Sequence, residues 1–224
     1  MTVSNSVSTV MGLVDAIEQR RAARSFKPDP IPEAVLMEIL RLGLRAPSGY
    51  NLQPWRFLVL REAKHKEKLQ ACAFGQRQVA EAPVVLICCG DRRVNSREYV
   101  ESIIQLGVDA GSMSDEYADV MRGAVPQLFD AQPSFETLEA WTNRHVMLAV
   151  AHLMVAAKGF GVDTCPMEGF ATAQVKEAFQ IPDQVDVCCL LPMGYADTPL
   201  KTYGGRFAID QVCYEETFGK SLSD

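Results

Sequence analysis

The sequence predicts an α+β protein in which helices cover a sheet, and three features lead to that class. Two short apolar runs, Pro83 to Cys89 and Val185 to Leu191, have the continuous character of buried strands. Turn formers close both, Gly90-Asp91 after the first and Pro192-Met193-Gly194 after the second. Between them a tract from about 135 to 159 carries Leu138, Trp141, Val146, Leu148, Ala149, Leu153 and Ala156 in a helical pattern.

The remaining elements follow in chain order. Leu13, Val14 and Ile17 mark a short first helix that runs into Arg20-Arg21. Pro28, Pro30 and Pro32 alternate and cannot continue a helix, so that segment is extended or turned. Pro32 suits the first turn of a second helix, and Glu33 complements its N-terminal dipole. Val35, Leu36, Ile39, Leu40 and Leu44 repeat at helical spacing until Ala46-Pro47 ends the element. Arg56 to Leu60 reads as a strand. The tract near 135–159 starts around Phe135, stops at Gly159 or Gly161, and is apolar on several sides towards its end, which predicts burial there. The stretch 95–133 is weakly patterned and broken by Gly111, Gly123, Pro126 and Pro133; it suits a mobile, lid-like excursion from one domain spanning 1–224.

Composition narrows the function classes. The 224 residues suffice for one core, with 48% hydrophobic and 22% charged residues. A net charge of −6, from 22 Lys+Arg against 28 Asp+Glu, argues against a nucleic-acid or polybasic membrane-surface protein. No apolar run approaches the ~18 residues of a membrane span. Met1 to Gly12 lacks a basic and apolar leader pattern, so a cytoplasmic protein is expected. The seven cysteines include the adjacent pairs Cys88-Cys89 and Cys188-Cys189 but form no C-x-x-C, which predicts buried, reduced thiols. The three histidines form no triad; His145 and His152 suit core or surface positions on one helix, and no metal site is expected. Gly159-Phe160-Gly161 lacks the third glycine and the strand-to-helix setting of a dinucleotide loop.

Three strings carry chemistry. Arg20, Arg21 and Arg24 place three guanidinium groups within five residues. They suit a phosphate, or else a solvated basic helix end. Ala46 to Trp55 packs hydroxyl and amide side chains into one short loop, fit for a heterocycle edge or for its own turn. In Thr164 to Phe170, Gly169 permits close backbone approach to a ligand, and Glu168 suits either proton transfer or a solvated cap.

Taken together, these strings resemble the FMN-dependent nitroreductase family. Arg20, Arg21, Ala22, Arg24 and Phe26 stand at its N-terminal basic motif. Its Ala-Pro-Ser-x-x-Asn-x-Gln-Pro-Trp motif is unbroken from Ala46 to Trp55, and its Pro-x-Glu-Gly-Phe motif matches Pro166 to Phe170. Gly194-Tyr195 with Lys201 and Arg206 resembles its C-terminal segment. The resemblance spans about 13–90 and 145–218. It implies a mostly antiparallel sheet covered by helices, in an intertwined homodimer. It further implies that Arg20, Arg21 and Arg206 hold the FMN phosphate and ribityl chain, with Arg24 in support. Pro47, Ser48, Gly49 and Asn51 would contact the flavin from the partner subunit. Pro166, Met167, Glu168 and Gly169 would lie at the isoalloxazine, with the Gly169 N–H near N5 and Gln76 at the pyrimidine edge.

There are departures: Ala22 replaces a common serine, Gln76 is longer than the usual asparagine, and Lys201 and Arg206 are widely spaced. The implied activity is ping-pong transfer of a hydride from NADH or NADPH through flavin N5 to a small organic electron acceptor such as a nitroaromatic or quinone, with no catalytic side chain required. Reduction of enones or halogenated aromatics, flavin destruction, and a non-turnover FMN carrier or sensor are the alternatives. Tyr99, Tyr117 and Phe129 in 95–133 are expected to decide the acceptor.

Overall fold

The computed structural model describes residues 10–128 and 137–222; the readings at Phe129, Pro133 and Phe135 fall outside them. Its centre is β2 (Val84–Asp91), buried along its whole length. Val84, Leu86 and Cys88 pack into one apolar cluster, and Val85, Ile87 and Cys89 into another on the opposite face. That double burial is why the run is continuously apolar rather than alternating. β2 pairs antiparallel with β1 (Trp55–Leu60) on one side and with β4 (Val185–Gly194) on the other. The two-residue β3 (Asp163–Thr164) completes the order β1-β2-β4-β3, antiparallel throughout. The expected antiparallel, helix-covered sheet is therefore present.

β4 continues through Pro192, where the sequence predicted a stop. The Pro192 carbonyl accepts from the Cys165 N–H at 3.1 Å, so its missing N–H also faces the β3 side. β3 has already ended there, and the strand tolerates proline without losing a bond to β2. Gly194 then lies so close to Pro83 that an added Cβ would stand 2.4 Å from its ring.

Helices cover both faces. α1 (Leu13–Gln19) ends at Arg20, which is extended, so the arginines follow the helix rather than finish it. α2 (Glu33–Gly43) begins after Pro32 as expected, and Leu36 and Ile39 pack into the β2 Val84–Cys88 face. α3 (Ala63–Cys72) and α4 (Arg77–Glu81) cover the opposite face through Leu69 and Val79.

The stretch read as a mobile excursion is built of α5 (Arg97–Asp109) and α6 (Asp115–Ala124). Ser96 and Ser114 cap them by accepting from the Tyr99 and Tyr117 amides. Val100, Ile103, Ile104, Ala118 and Met121 close a third apolar cluster over Leu52 and Trp141. α7 (Leu138–Gly159) runs beneath the sheet with Val146, Ala149, Val150, Leu153 and Ala157 in the core. α8 (Thr172–Phe179) buries Val175 on the α3 side, and α9 (Ile209–Val212) lies in an exposed C-terminal run. All seven cysteines are free; Cys188 is half-buried and Cys213 is exposed, so the expectation of burial fails at Cys213.

Asp91 ends β2 with a fully buried carboxylate. It accepts from Arg93 Nε at 2.9 Å and Nη2 at 2.7 Å, and Arg56 Nη2 stands 3.5 Å away. Burial pushes the carboxyl up, but the Arg93 side chain and amide and the Arg56 charge hold it below the ordinary carboxylate range. With its folded value depressed, Asp91 contributes stability above its unfolded value and loses it as the pH falls through the folded one. Urea midpoints against pH should therefore fall below about pH 4 in the wild type. D91N should cost about 1–2 kcal/mol at pH 7, the loss of charge-assisted bonds to arginines that stay solvated, and flatten that acid limb; an unchanged limb would remove Asp91 from this role.

Candidate functional site

After α1 the chain runs without a helix from Arg20 to Lys27, bent at Arg24-Ser25 and bridged to Thr164 through Ala22 and to Ala196 through Phe26. The Ala23 N–H donates to the Thr164 carbonyl at 3.1 Å, the Lys27 N–H to Tyr195 at 2.8 Å, and the Asp197 N–H to Ser25 at 3.1 Å. Arg77 Nη2 donates to Ser25 Oγ at 2.7 Å and pairs with Glu81 at 3.0 Å, clamping the run to α4. This seat delivers Arg20 and Arg21 to the wall of a cleft of about 860 Å³, lined also by Ile17, Val155, Pro166 and Arg206. Tyr203 lies between two guanidinium groups, 4.8 Å from Arg21 and 5.5 Å from Arg206. Among the described residues, none of Arg20, Arg21 and Arg206 has a carboxylate within 4.0 Å. Glu18 also lines the cleft, and Arg21 and Arg206 donate to the Arg20 and Gly205 carbonyls, but three guanidinium groups without a paired carboxylate at one cleft fit a polyanion such as a phosphate.

The third string forms the next part of the site. The Met167 and Leu190 amides and carbonyls exchange bonds of 2.9 Å, and the Met167 side chain packs into the α3-side core rather than the cleft. Glu168 and Gly169 are exposed just beyond. Gln76 Nε2 donates to the Gly169 carbonyl at 2.7 Å, and Gln78 Nε2 donates to Gln76 Oε1 at 3.2 Å. A Cβ at Gly169 would stand 3.1 Å from the Gln76 amide nitrogen, close enough that the Gln76 side chain would have to shift by a few tenths of an ångström. The Gly169 N–H has no acceptor among the described residues.

Arg24 is directed elsewhere. With Lys201 it lines a neighbouring cavity of about 170 Å³, which shares Ala22 with the larger cleft.

Pro47, Ser48, Gly49 and Asn51 do not line the cleft in their own chain. Their loop holds Tyr50, Asn51 and Gln53 at φ of 51°, 54° and 46°, a left-handed backbone that costs about 1–3 kcal/mol per residue when non-glycine. Its surroundings fix that shape. Ser48 Oγ accepts from the Gln53 N–H at 2.9 Å, and Tyr99 Oη donates to the Leu52 carbonyl at 2.9 Å. His145 Nε2 accepts from the Gly49 N–H at 3.1 Å, while Nδ1 donates to the Trp141 carbonyl at 2.8 Å. These two bonds define the Nδ1–H tautomer.

A model of the nitroreductase family matches residues 17–195. The chain belongs to the nitroreductase family. A Thermus thermophilus protein named NADH dehydrogenase is 33% identical over 83% of this chain and 87% of its own length. A Bacillus subtilis protein provisionally named NAD(P)H nitroreductase YdgI is 33% identical over 89% of this chain and 95% of its own. Among solved structures, a protein from Exiguobacterium sibiricum, provisionally described as a nitroreductase and in complex with FMN, superposes with a TM-score of 0.84. It is 27% identical, covering 94% of this chain and all of that one.

In this nitroreductase-family chain the structure brings together Arg20, Arg21, Pro166 and Arg206, and separately Gln76 with Gly169. It leaves Arg24 in the side cavity and the Pro47–Asn51 loop apart. Sequence reasoning missed Tyr203, whose signal was an aromatic ring between two basic positions, and His145, whose seven-residue spacing to His152 suggested no loop contact. Tyr99 supports the loop through the Leu52 and Gln53 carbonyls and also lines a cavity of about 420 Å³ with Arg56 and Ile103. His145→Leu should lower stability by about 1 kcal/mol, the loss of a half-buried hydrogen bond to the Gly49 N–H. Amide exchange at Gly49 to Gln53 should quicken selectively; uniform exchange across the sheet instead would deny the loop-holding role.

Proposed function

We propose that this chain is an NAD(P)H-dependent FMN oxidoreductase that works as a homodimer and reduces a small organic electrophile such as a nitroaromatic or quinone. The observation that carries the reading is the convergence of Arg20, Arg21 and Arg206, without carboxylate partners, on one large cleft. The relative solved with FMN and the relatives named for NADH and NAD(P)H support it.

The chemistry that FMN supplies when bound is hydride transfer from NADH or NADPH through N5 to the acceptor, in ping-pong order. The protein binds and orients. Arg20, Arg21 and Arg206 would hold the phosphate, with Tyr203 stacked between two of them, and Arg24 supports from the side cavity. The free Gly169 N–H would donate to the reactive ring nitrogen, while Gln76 holds the carbonyl of the following peptide and so anchors the turn on the C-terminal side of Gly169. Pro166 closes one wall, and Met167 anchors the turn through the core.

Two observations support a second copy of the chain. Apolar side chains stand in solvent on α1 and in the C-terminal run, including Leu13 at 67% exposure, Phe207 at 76% and Phe218 at 94%. The stiffly held Pro47–Asn51 loop has no cleft of its own to serve, and in the proposed dimer it contacts the flavin of the other subunit. In this reading α5 and α6, with Tyr117 exposed, would shape the acceptor's pocket.

The purified protein should carry FMN and bleach under anaerobic conditions on addition of NADH or NADPH; bleaching by neither would reject the reductase. R20A/R21A should weaken FMN binding by about ten- to a hundredfold, the loss of one or two charge-assisted bonds. Unchanged affinity in a flavin titration would reject the phosphate assignment. Sedimentation should give a dimer, and a stable monomer with full flavin content would contradict the shared site.

A further inference from the structure

Another cavity, of about 360 Å³, shares no residue with the arginine cleft or its side cavity. Its walls are Pro30, Ile31, Leu36, Pro83 and Val84, and Lys66 of α3 also lines it. Lys66 is only 8% exposed. Its Nζ donates to the Ala82 carbonyl at 2.6 Å, and among the described residues it has no other acceptor and no carboxylate. An ammonium has three N–H donors, so two remain unserved beside an open cavity. Burial pulls this amine below the ordinary lysine range, which is the consequence of a cation without a counter-ion. Binding one carbonyl does not require a charge, and a neutral donor would do it at lower desolvation cost.

We propose that this cavity is a binding site for a small monocarboxylate with an apolar body, its carboxylate on the Lys66 ammonium. The surroundings select that class. Arg61 and Glu33 also line the cavity and answer each other through contacts of 2.8 and 3.1 Å, which leaves the Lys66 charge for the ligand to answer. Pro28, Pro30 and Pro83 on the lining have no amide hydrogens, so a phosphate or sulfate would find few of the donors it needs. A carboxylate needs one charged partner, and its hydrocarbon tail gains from the isoleucine, leucine, valine and proline walls. The volume lies at the small end of ligand cavities, which limits the guest to a few carbons.

The test is calorimetric titration of the flavin-loaded protein with pentanoate and with its neutral counterpart pentanamide. Pentanoate should bind once per chain and pentanamide should not. Lys66→Met should weaken pentanoate by about tenfold or more, as expected for loss of a charged partner. R20A/R21A/R206A should leave pentanoate binding in place, because the two cavities are separate. Equal binding by pentanamide, full binding in K66M, or loss confined to the arginine variant would each overturn the proposal. If K66M does not fold, the wild type decides. Pentanoate should slow acetylation of Lys66 by acetic anhydride, read by peptide mass mapping, and no slowing would overturn the assignment.

Discussion

The double-sided burial of β2 is the constraint on which the rest of the molecule depends. Alternate side chains of Val84–Cys89 feed two separate cores, so helices must cover both faces, and α2 and α7 lie on one side with α3, α4 and α8 on the other. Antiparallel pairing to β1 and β4 then fixes where the functional segments start. The loop with left-handed Tyr50, Asn51 and Gln53 enters β1, and the strand bearing Met167's partner Leu190 is β4. Each fully buried Val, Leu or Ile on β2 contributes roughly 1.5–3 kcal/mol, so the strand is a stable base for loops that carry backbone strain.

From that base the site is assembled by backbone bonds more than by side chains. The Arg20–Lys27 run has no helix or long strand of its own; it is held by Thr164, Tyr195 and the Arg77–Ser25 clamp. An extended backbone alternates its side chains, yet Arg20 and Arg21 both line the same cleft, since the run is only leaving α1 at that point. The C-terminal run brings Arg206 back beside them with Tyr203 as spacer. The result is local positive charge on a chain whose net charge is −6, which is why composition argued against nucleic-acid and membrane-surface roles while leaving room for a local basic site such as this cleft.

What the sequence made legible follows from how much pattern each element needs. β2, β4, α2 and α7 are long and strongly apolar, and their periodicity placed them within a few residues. β3 has two residues and no pattern to read; only its bonds to Met193 and Gly194 define it. α5 does carry Val100, Ile103, Ile104 and Gly107 on one face, but glycine and proline breaks nearby obscured it. The three strings identified the chemistry of the site because residue types suffice for that. They favoured Arg206 over Lys201, and the structure has Arg206 on the large cleft and Lys201 in the side cavity with Arg24; Arg24 was grouped with Arg20 and Arg21 because its departure depends on the path of the run. His145 was opaque for the same reason: its partner, Gly49, is 96 residues away.

The central claim is that one site is made from two chains, the arginine cleft of one and the Pro47–Asn51 loop of the other. Subunit mixing tests it most directly. One variant, R20A/R21A/R206A, lacks the phosphate side; a second, S48A/N51A, lacks the loop's polar groups. Each alone should bind FMN poorly. Unfolded and refolded together, with mixed dimers verified by native mass spectrometry, they should regain tight FMN binding, because each mixed dimer holds one intact site. Mixed dimers that bind no better than either parent would contradict the account.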